Sequence, residues 1–182
     1  MKHISKLMAT VLVGLLPTAA LAGYADERAE IENLSNRYMI AVDSGDMSTV
    51  MTTWADDGVL EWAGGVERGR AAIEKAMSRF AGARGASVPE GATSWPRSRH
   101  FILNHVIDVN GNSAKSVAYW FEITNSTPVK SVQLVYFGHY EDELVKQGGR
   151  WLFKTRKVYN ESLSNRALFY PGLGEKDPRA SK

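Results

Sequence analysis

Cysteine is absent from the 182 residues. Disulfides, thiolate catalysis, iron–sulfur clusters and cysteine zinc sites are thereby excluded, as is a bacterial lipoprotein anchor. Long apolar runs are missing too. Beyond the first 22 residues nothing approaches the roughly 18 uninterrupted apolar residues that a spanning helix needs. Metal-binding patterns are lacking: the four histidines form neither H-x-H nor H-E-x-x-H, and His139 has no spaced partner. No metal site and no cofactor are expected.

Surplus positive charge is the last absence. Two of the 22 Lys and Arg residues, Lys2 and Lys6, fall in the first 22 positions, which hold no acidic residue. Without them the basic residues only balance the 20 Asp and Glu. Nucleic-acid binding needs excess cations to displace counterions, so that class of partner is excluded.

Residues 1–22 read as an export leader. Lys2 and Lys6 form a positive head, Leu7 to Leu16 an apolar stretch that Pro17 interrupts, and Ala20-Leu21-Ala22 a small-residue cleavage pattern. Cleavage is expected after Ala22, giving a periplasmic or secreted chain with no membrane span. The remaining length of about 160 residues suffices for one domain with a sizeable core. That domain is read over 23–163, with a tail over 164–182.

Helices come first. Ile31, Leu34, Tyr38, Ala41 and Val42 lie on one stripe, predicting a helix from Asp26, as cap, to Val42. Ser44-Gly45 ends it, and Asp46 caps a short second helix running to Trp54. Asp56-Asp57-Gly58 reads as a turn into a hairpin, Val59–Trp62 with Val66–Arg68. A third helix follows Gly69, and a long loop, a candidate lid, spans Gly82 to Ser98. Four strand-like runs follow at 99–109, 114–124, 130–146 and 150–162, separated in two places by Asn110-Gly111-Asn112 and Gln147-Gly148-Gly149. The class is α+β, with a mostly antiparallel sheet. Apolar residues occur on both faces of the strands, so a sheet covered by helices on one side leaves the other for a second copy, as a homodimer or homotrimer.

Strand alternation places His100, Ile102, Asn104, Val106 and Asp108 on one face and His105 on the other. Asp43 stands at the end of the first helix, where a carboxylate meets the negative end of the macrodipole. It reads either as a solvated turn residue or as the partner of a distant base. Trp54, Trp62, Trp120 and Tyr38 read either as core or as an aromatic lining. Arg156 reads as one of the solvated charges in Lys154-Thr155-Arg156-Lys157, or as a stabiliser of developing negative charge.

The segments Arg37-Tyr38-Met39-Ile40-Ala41-Val42-Asp43-Ser44-Gly45-Asp46, Trp54-Ala55-Asp56-Asp57-Gly58 and Gly69-Arg70-Ala71-Ala72-Ile73 resemble the opening of a SnoaL-like domain of the NTF2-like superfamily. Arg99-His100-Phe101, Gly138-His139-Tyr140-Glu141-Asp142 and Gly149-Arg150-Trp151 continue that pattern in order. The resemblance covers roughly residues 26–162 and is nearest to the branch of scytalone dehydratase and hexachlorocyclohexane dehydrochlorinase. It implies a cone of helices held in a curved sheet around a cavity, and an Asp–His dyad whose members fall on Asp43 and His100. A cavity tryptophan and an arginine of the dehydrochlorinase fall on Trp62 and Arg156.

The water-activating tyrosines of the dehydratase fall on Val42 and Trp62, its second histidine on Trp120, and a cavity lysine of the dehydrochlorinase on Tyr38. Neither specific reaction therefore carries over. The expectation is a small-molecule protein, with Asp43, His100 and Arg156 as catalytic candidates and Tyr38, Trp54, Trp62, Asn104 and Trp120 as ligand contacts. It would be a lyase, dehydratase or isomerase. Alternatives are a non-catalytic binding module, or an interaction subunit docking through its sheet face.

Overall fold

The computed structural model describes residues 18–85, 98–125 and 131–162. Most of the export leader, the larger part of the expected loop and the tail lie outside the described residues. The elements run α1 (Thr18–Ser44), α2 (Met47–Thr52), β1 (Trp54–Trp62), β2 (Gly65–Arg68), α3 (Arg70–Gly85), β3 (Ser98–Asn110), β4 (Ser113–Thr124), β5 (Gln133–Gln147) and β6 (Arg150–Asn160). The six strands form one sheet in the order β2-β1-β6-β5-β4-β3. All pairs are antiparallel except β1 with β6, which is parallel. The α+β expectation holds, with a mixed sheet.

Helix α1 is longer than its amphipathic stripe suggested. It starts by Thr18, so Asp26 lies inside it rather than capping it. Its buried stripe is Ile31, Leu34, Tyr38, Met39 and Ala41, with Val42 half-buried. The early part of α1 is pinned by Glu27, which accepts from Lys146 Nζ at 2.7 Å and from Trp151 Nε1 at 2.5 Å. Those hydrogen bonds, Lys146 first, hold the Glu27 carboxyl below its ordinary range. Tyr24 donates from its hydroxyl to the carbonyl of Ile107 at 3.0 Å. Gly45, at φ +73°, ends the helix as expected. Asp46 then caps α2 by accepting from the Thr49 amide at 3.0 Å.

Four other expectations are corrected. Trp54 belongs to β1 rather than to the second helix, and Asp56-Asp57-Gly58 lies inside that strand, where the β1–β6 register slips. Helix α3 continues to Gly85, past the expected loop start. Strand β3 carries a β-bulge: Leu103 pairs with Tyr119 but Val106 with Val117, leaving Asn104 and His105 opposite Ala118. Asn104 takes φ +52°, a left-handed conformation that asparagine tolerates better than most residues.

The bulge exchanges the faces beyond it. His105, Ile107 and Val109 join His100 and Ile102 on the inner side, while Asn104, Val106 and Asp108 turn outward. The inner side carries the core of Trp54, Leu60, Ile73, Ile107, Trp120, Tyr140, Leu144 and Phe153 beneath the helices. On the outer side Phe101, Phe121 and Phe137 lie in one cross-strand row, the first two rings stacked at 4.9 Å. Leu103, Val106, Val117 and Tyr119 continue that apolar face, and all four are exposed.

Candidate functional site

Asp43 sits in the last turn of α1, where the helix C-terminus disfavours a carboxylate. It is turned against the start of β3. Its Oδ2 accepts from the His100 backbone amide at 2.9 Å, and its Oδ1 accepts from His100 Nδ1 at 2.7 Å. The second contact fixes the imidazole tautomer with a proton on Nδ1. The other ring nitrogen also faces a carboxylate: His100 Nε2 lies 3.2 Å from Glu122 Oε2. All three side chains are close to fully buried, at 7% for Asp43, 10% for His100 and 5% for Glu122. Glu122 is the β4 residue directly opposite His100.

Trp120, one inner position from Glu122, holds its ring 5.9 Å from the imidazole and stacks on Tyr140 at 5.8 Å. Its Nε1 is buried with no hydrogen-bond partner. Of the candidate ligand contacts, Trp120 is the one in ring contact with His100.

Tyr38 and Trp54 form a separate aromatic group with Phe153, at centroid distances of 6.2 Å between Tyr38 and Trp54 and 5.4 and 5.5 Å from each to Phe153. Burial pushes the Tyr38 hydroxyl up. Trp62 is half-buried at the end of β1 and packs against the core. Asn104 is exposed on the outer face because of the bulge, which removes it from the His100 side.

Arg156 is not a solvated charge. It is 1% exposed and clamped by Asp142, which accepts from Nε and Nη2, both at 2.8 Å. Ser116 donates to the same carboxylate at 3.3 Å. The rings of Phe153, Tyr140 and Tyr38 surround the guanidinium at 3.9, 4.3 and 4.6 Å. Burial alone would ease its proton off, but the charge and hydrogen bonds of Asp142 outweigh burial and push it up. Only Nη1 lacks a hydrogen-bond partner. His105, turned inward by the bulge, has a buried Nε2 without a partner, and desolvation lowers its basicity against the opposing pull of Asp142.

Glu122 and His105 are the inner-face groups that sequence reasoning missed. His105 turns inward only because β3 slips by one residue, which alternation cannot reveal; Glu122 follows the regular alternation of β4 beside Trp120, and only its pairing with His100 depends on the slip. Among the described residues no group of three His, Asp or Glu side chains could hold a metal ion. No described helix is long and apolar enough to cross a membrane.

Solved structures with the same fold include a protein of unknown function from Mycobacterium tuberculosis, 23% identical with a TM-score of 0.63 over 85% of this chain and 82% of that one. A putative scytalone dehydratase from Novosphingobium aromaticivorans is 22% identical, with a TM-score of 0.62 over 77% and 87%. A hexachlorocyclohexane dehydrochlorinase is 17% identical, with a TM-score of 0.60 over 77% and 88%. At these identities the likeness establishes the fold alone. Comparison with curated proteins gives no match. The SnoaL-like domain family matches residues 23–157, most of the chain, and the protein belongs to that family of NTF2-like folds.

Proposed function

We propose that the chain binds a small apolar or aromatic molecule and carries out cofactor-independent proton transfer on it, as a lyase, dehydratase or isomerase. The observation that carries this reading is the double hold of Asp43 on His100, through ring and backbone, at nearly full burial. A buried carboxylate on Nδ1 orients an imidazole and stabilises its protonated form, which suits it to exchange protons through Nε2. Trp120 supplies an aromatic wall near the imidazole ring. Arg156 supplies a fixed cation, with Nη1 left to meet a developing anion. The similar folds named as a putative dehydratase and a dehydrochlorinase point the same way.

A non-catalytic binding module is the second reading. It is favoured by Glu122, which covers the Nε2 that a simple base would keep open. The two separate by experiment: mass spectrometry identifies what co-purifies, and turnover of that compound is compared in wild type and His100→Ala. Loss of turnover with binding kept supports the enzyme. Retained turnover removes His100 from the mechanism.

The leader pattern supports export, and N-terminal sequencing of the exported protein would then begin at Gly23. The exposed side chains of Phe101, Tyr119 and Phe137 on the outer face support docking of a second copy on the sheet. A light-scattering mass of one mature chain would sink that assignment.

A further inference from the structure

We propose that Glu122 is a third working member of this site, sharing with His100 the proton on the Nε2–Oε2 line and delivering it to a leaving oxygen. The inference rests on the proton-transfer reading above and narrows it to reactions that need an acid as well as a base.

The inner row of β4 is otherwise Ala114, Ser116, Ala118, Trp120 and Thr124, small or apolar for the most part. A carboxylate retained there at 5% exposure carries a desolvation cost that only a partner offsets. Register puts one such partner, His100, directly across the strand pair. The ring then stands between two carboxylates, 2.7 Å from Asp43 Oδ1 and 3.2 Å from Glu122 Oε2.

The Nδ1 contact is a hydrogen bond, and the Nε2–Oε2 approach is an ion-pair distance across which one proton can pass. The first proton sits on Nδ1 and is held by Asp43. The second lies between Nε2 and Oε2 and can reside on either atom, because both are proton acceptors of the same line. The site thus carries one transferable proton and one vacancy created when that proton leaves. An Asp–His pair with an open Nε2 would carry only the vacancy.

That difference selects a leaving group. Halide departs as a stable anion and asks only for a base. Hydroxyl bound to carbon must be protonated to leave as water. For a β-hydroxy carbonyl compound the step balances as follows. The α C–H bond breaks and its proton passes to the Nε2–Oε2 line, while its electron pair forms the new C=C bond. The β C–O bond breaks with its electrons on oxygen, which takes the line's original proton. Water leaves and the three side chains return to their starting state.

The test has two arms on the full chain. In the first, nitrogen-15 NMR of the His100 ring is recorded for wild type, Glu122→Ala and Glu122→Gln. A proton shared on the Nε2 side in wild type and lost in both variants is the expected result. An Nε2 with no shared proton in wild type, or one that ignores the alanine, overturns the inference.

In the second arm, Glu122→Gln is given a cyclic β-hydroxyketone and a polychlorinated cyclohexane. Loss of the acid should slow dehydration about 100-fold, and about tenfold more than it slows loss of hydrogen chloride. Equal losses with both probes would make Glu122 merely structural and overturn its role. If wild type turns over neither probe, the dehydration role assigned to Glu122 is overturned, and the NMR arm still decides whether Glu122 shares the proton.

Discussion

Asp142→Asn is the perturbation whose outcome the geometry fixes most closely. The Asp142 side chain is 0% exposed and Arg156 1%, with two hydrogen bonds of 2.8 Å between them. Asparagine keeps the shape but removes the charge, and its amide N–H₂ must face one guanidinium nitrogen. One hydrogen bond is lost and the buried cation is left uncompensated. Breaking a buried pair from one side costs about 3–5 kcal/mol.

The three rings at 3.9 to 4.6 Å keep stabilising the cation after the change, which puts the expected loss near the lower figure, about 3 kcal/mol. For a domain of this size that is a fall in Tm of about 6–12 °C. Urea unfolding and thermal circular dichroism measure it. The paired change Asp142→Leu with Arg156→Met removes both charges together and should return to within about 1 kcal/mol of wild type. A single Asp142→Asn within about 1 kcal/mol of wild type, or a double variant as weak as the single one, would refute the account of a mutually dependent buried pair.

Two further outcomes follow from the structure. The carboxyls of Glu27, bonded first to Lys146, and of Asp46, bonded first to Thr49, are depressed, Asp46 to about 2. Their stabilisation is therefore complete above the unfolded values of 4.5 and 3.8 and is lost as pH falls through the folded ones. Acid unfolding of Glu27→Gln and Asp46→Asn should show a shallower loss of stability below pH 4.5 than wild type. Asn104→Gly relieves the positive φ and should leave stability unchanged or raise it by up to about 1 kcal/mol, whereas Asn104→Val should cost about 1–2 kcal/mol. Neither should alter ligand binding, since the side chain faces outward, and a binding change in both would return Asn104 to the site.

The helix stripe, the break at Gly45 and the cap at Asp46 are legible because they depend on local periodicity and on residues that accept unusual backbone. Arg156 illustrates the limit. Its neighbours Lys154 and Lys157 suggest a solvated cluster, yet the alternation of β6 turns this one cation inward, where Asp142 is its direct cross-strand partner. The pairing depends on the β5–β6 register, which slips once between Glu143 and Leu144.

A single residue of slip also decides the site. Counting back from the tight turn, where Asn110 pairs with Ser113, an uninterrupted ladder would put His100 opposite Ile123 and Glu122 opposite Phe101. It would also put His100 on the side of Val106 rather than Ile107. The bulge at Asn104 and His105 shifts the register by one, so that Glu122 arrives at His100 and Ile107 shares the buried side with it. The burial of Ile107 and the pairing of His100 with Glu122 are therefore one choice, and no residue between 100 and 110 announces it except an asparagine able to turn left-handed. A variant that deleted one of the two bulge residues would have to surrender either the core contact of Ile107 or the approach of Asp43 and Glu122 to the imidazole. The fold holds both only because the strand is irregular where the chemistry is proposed.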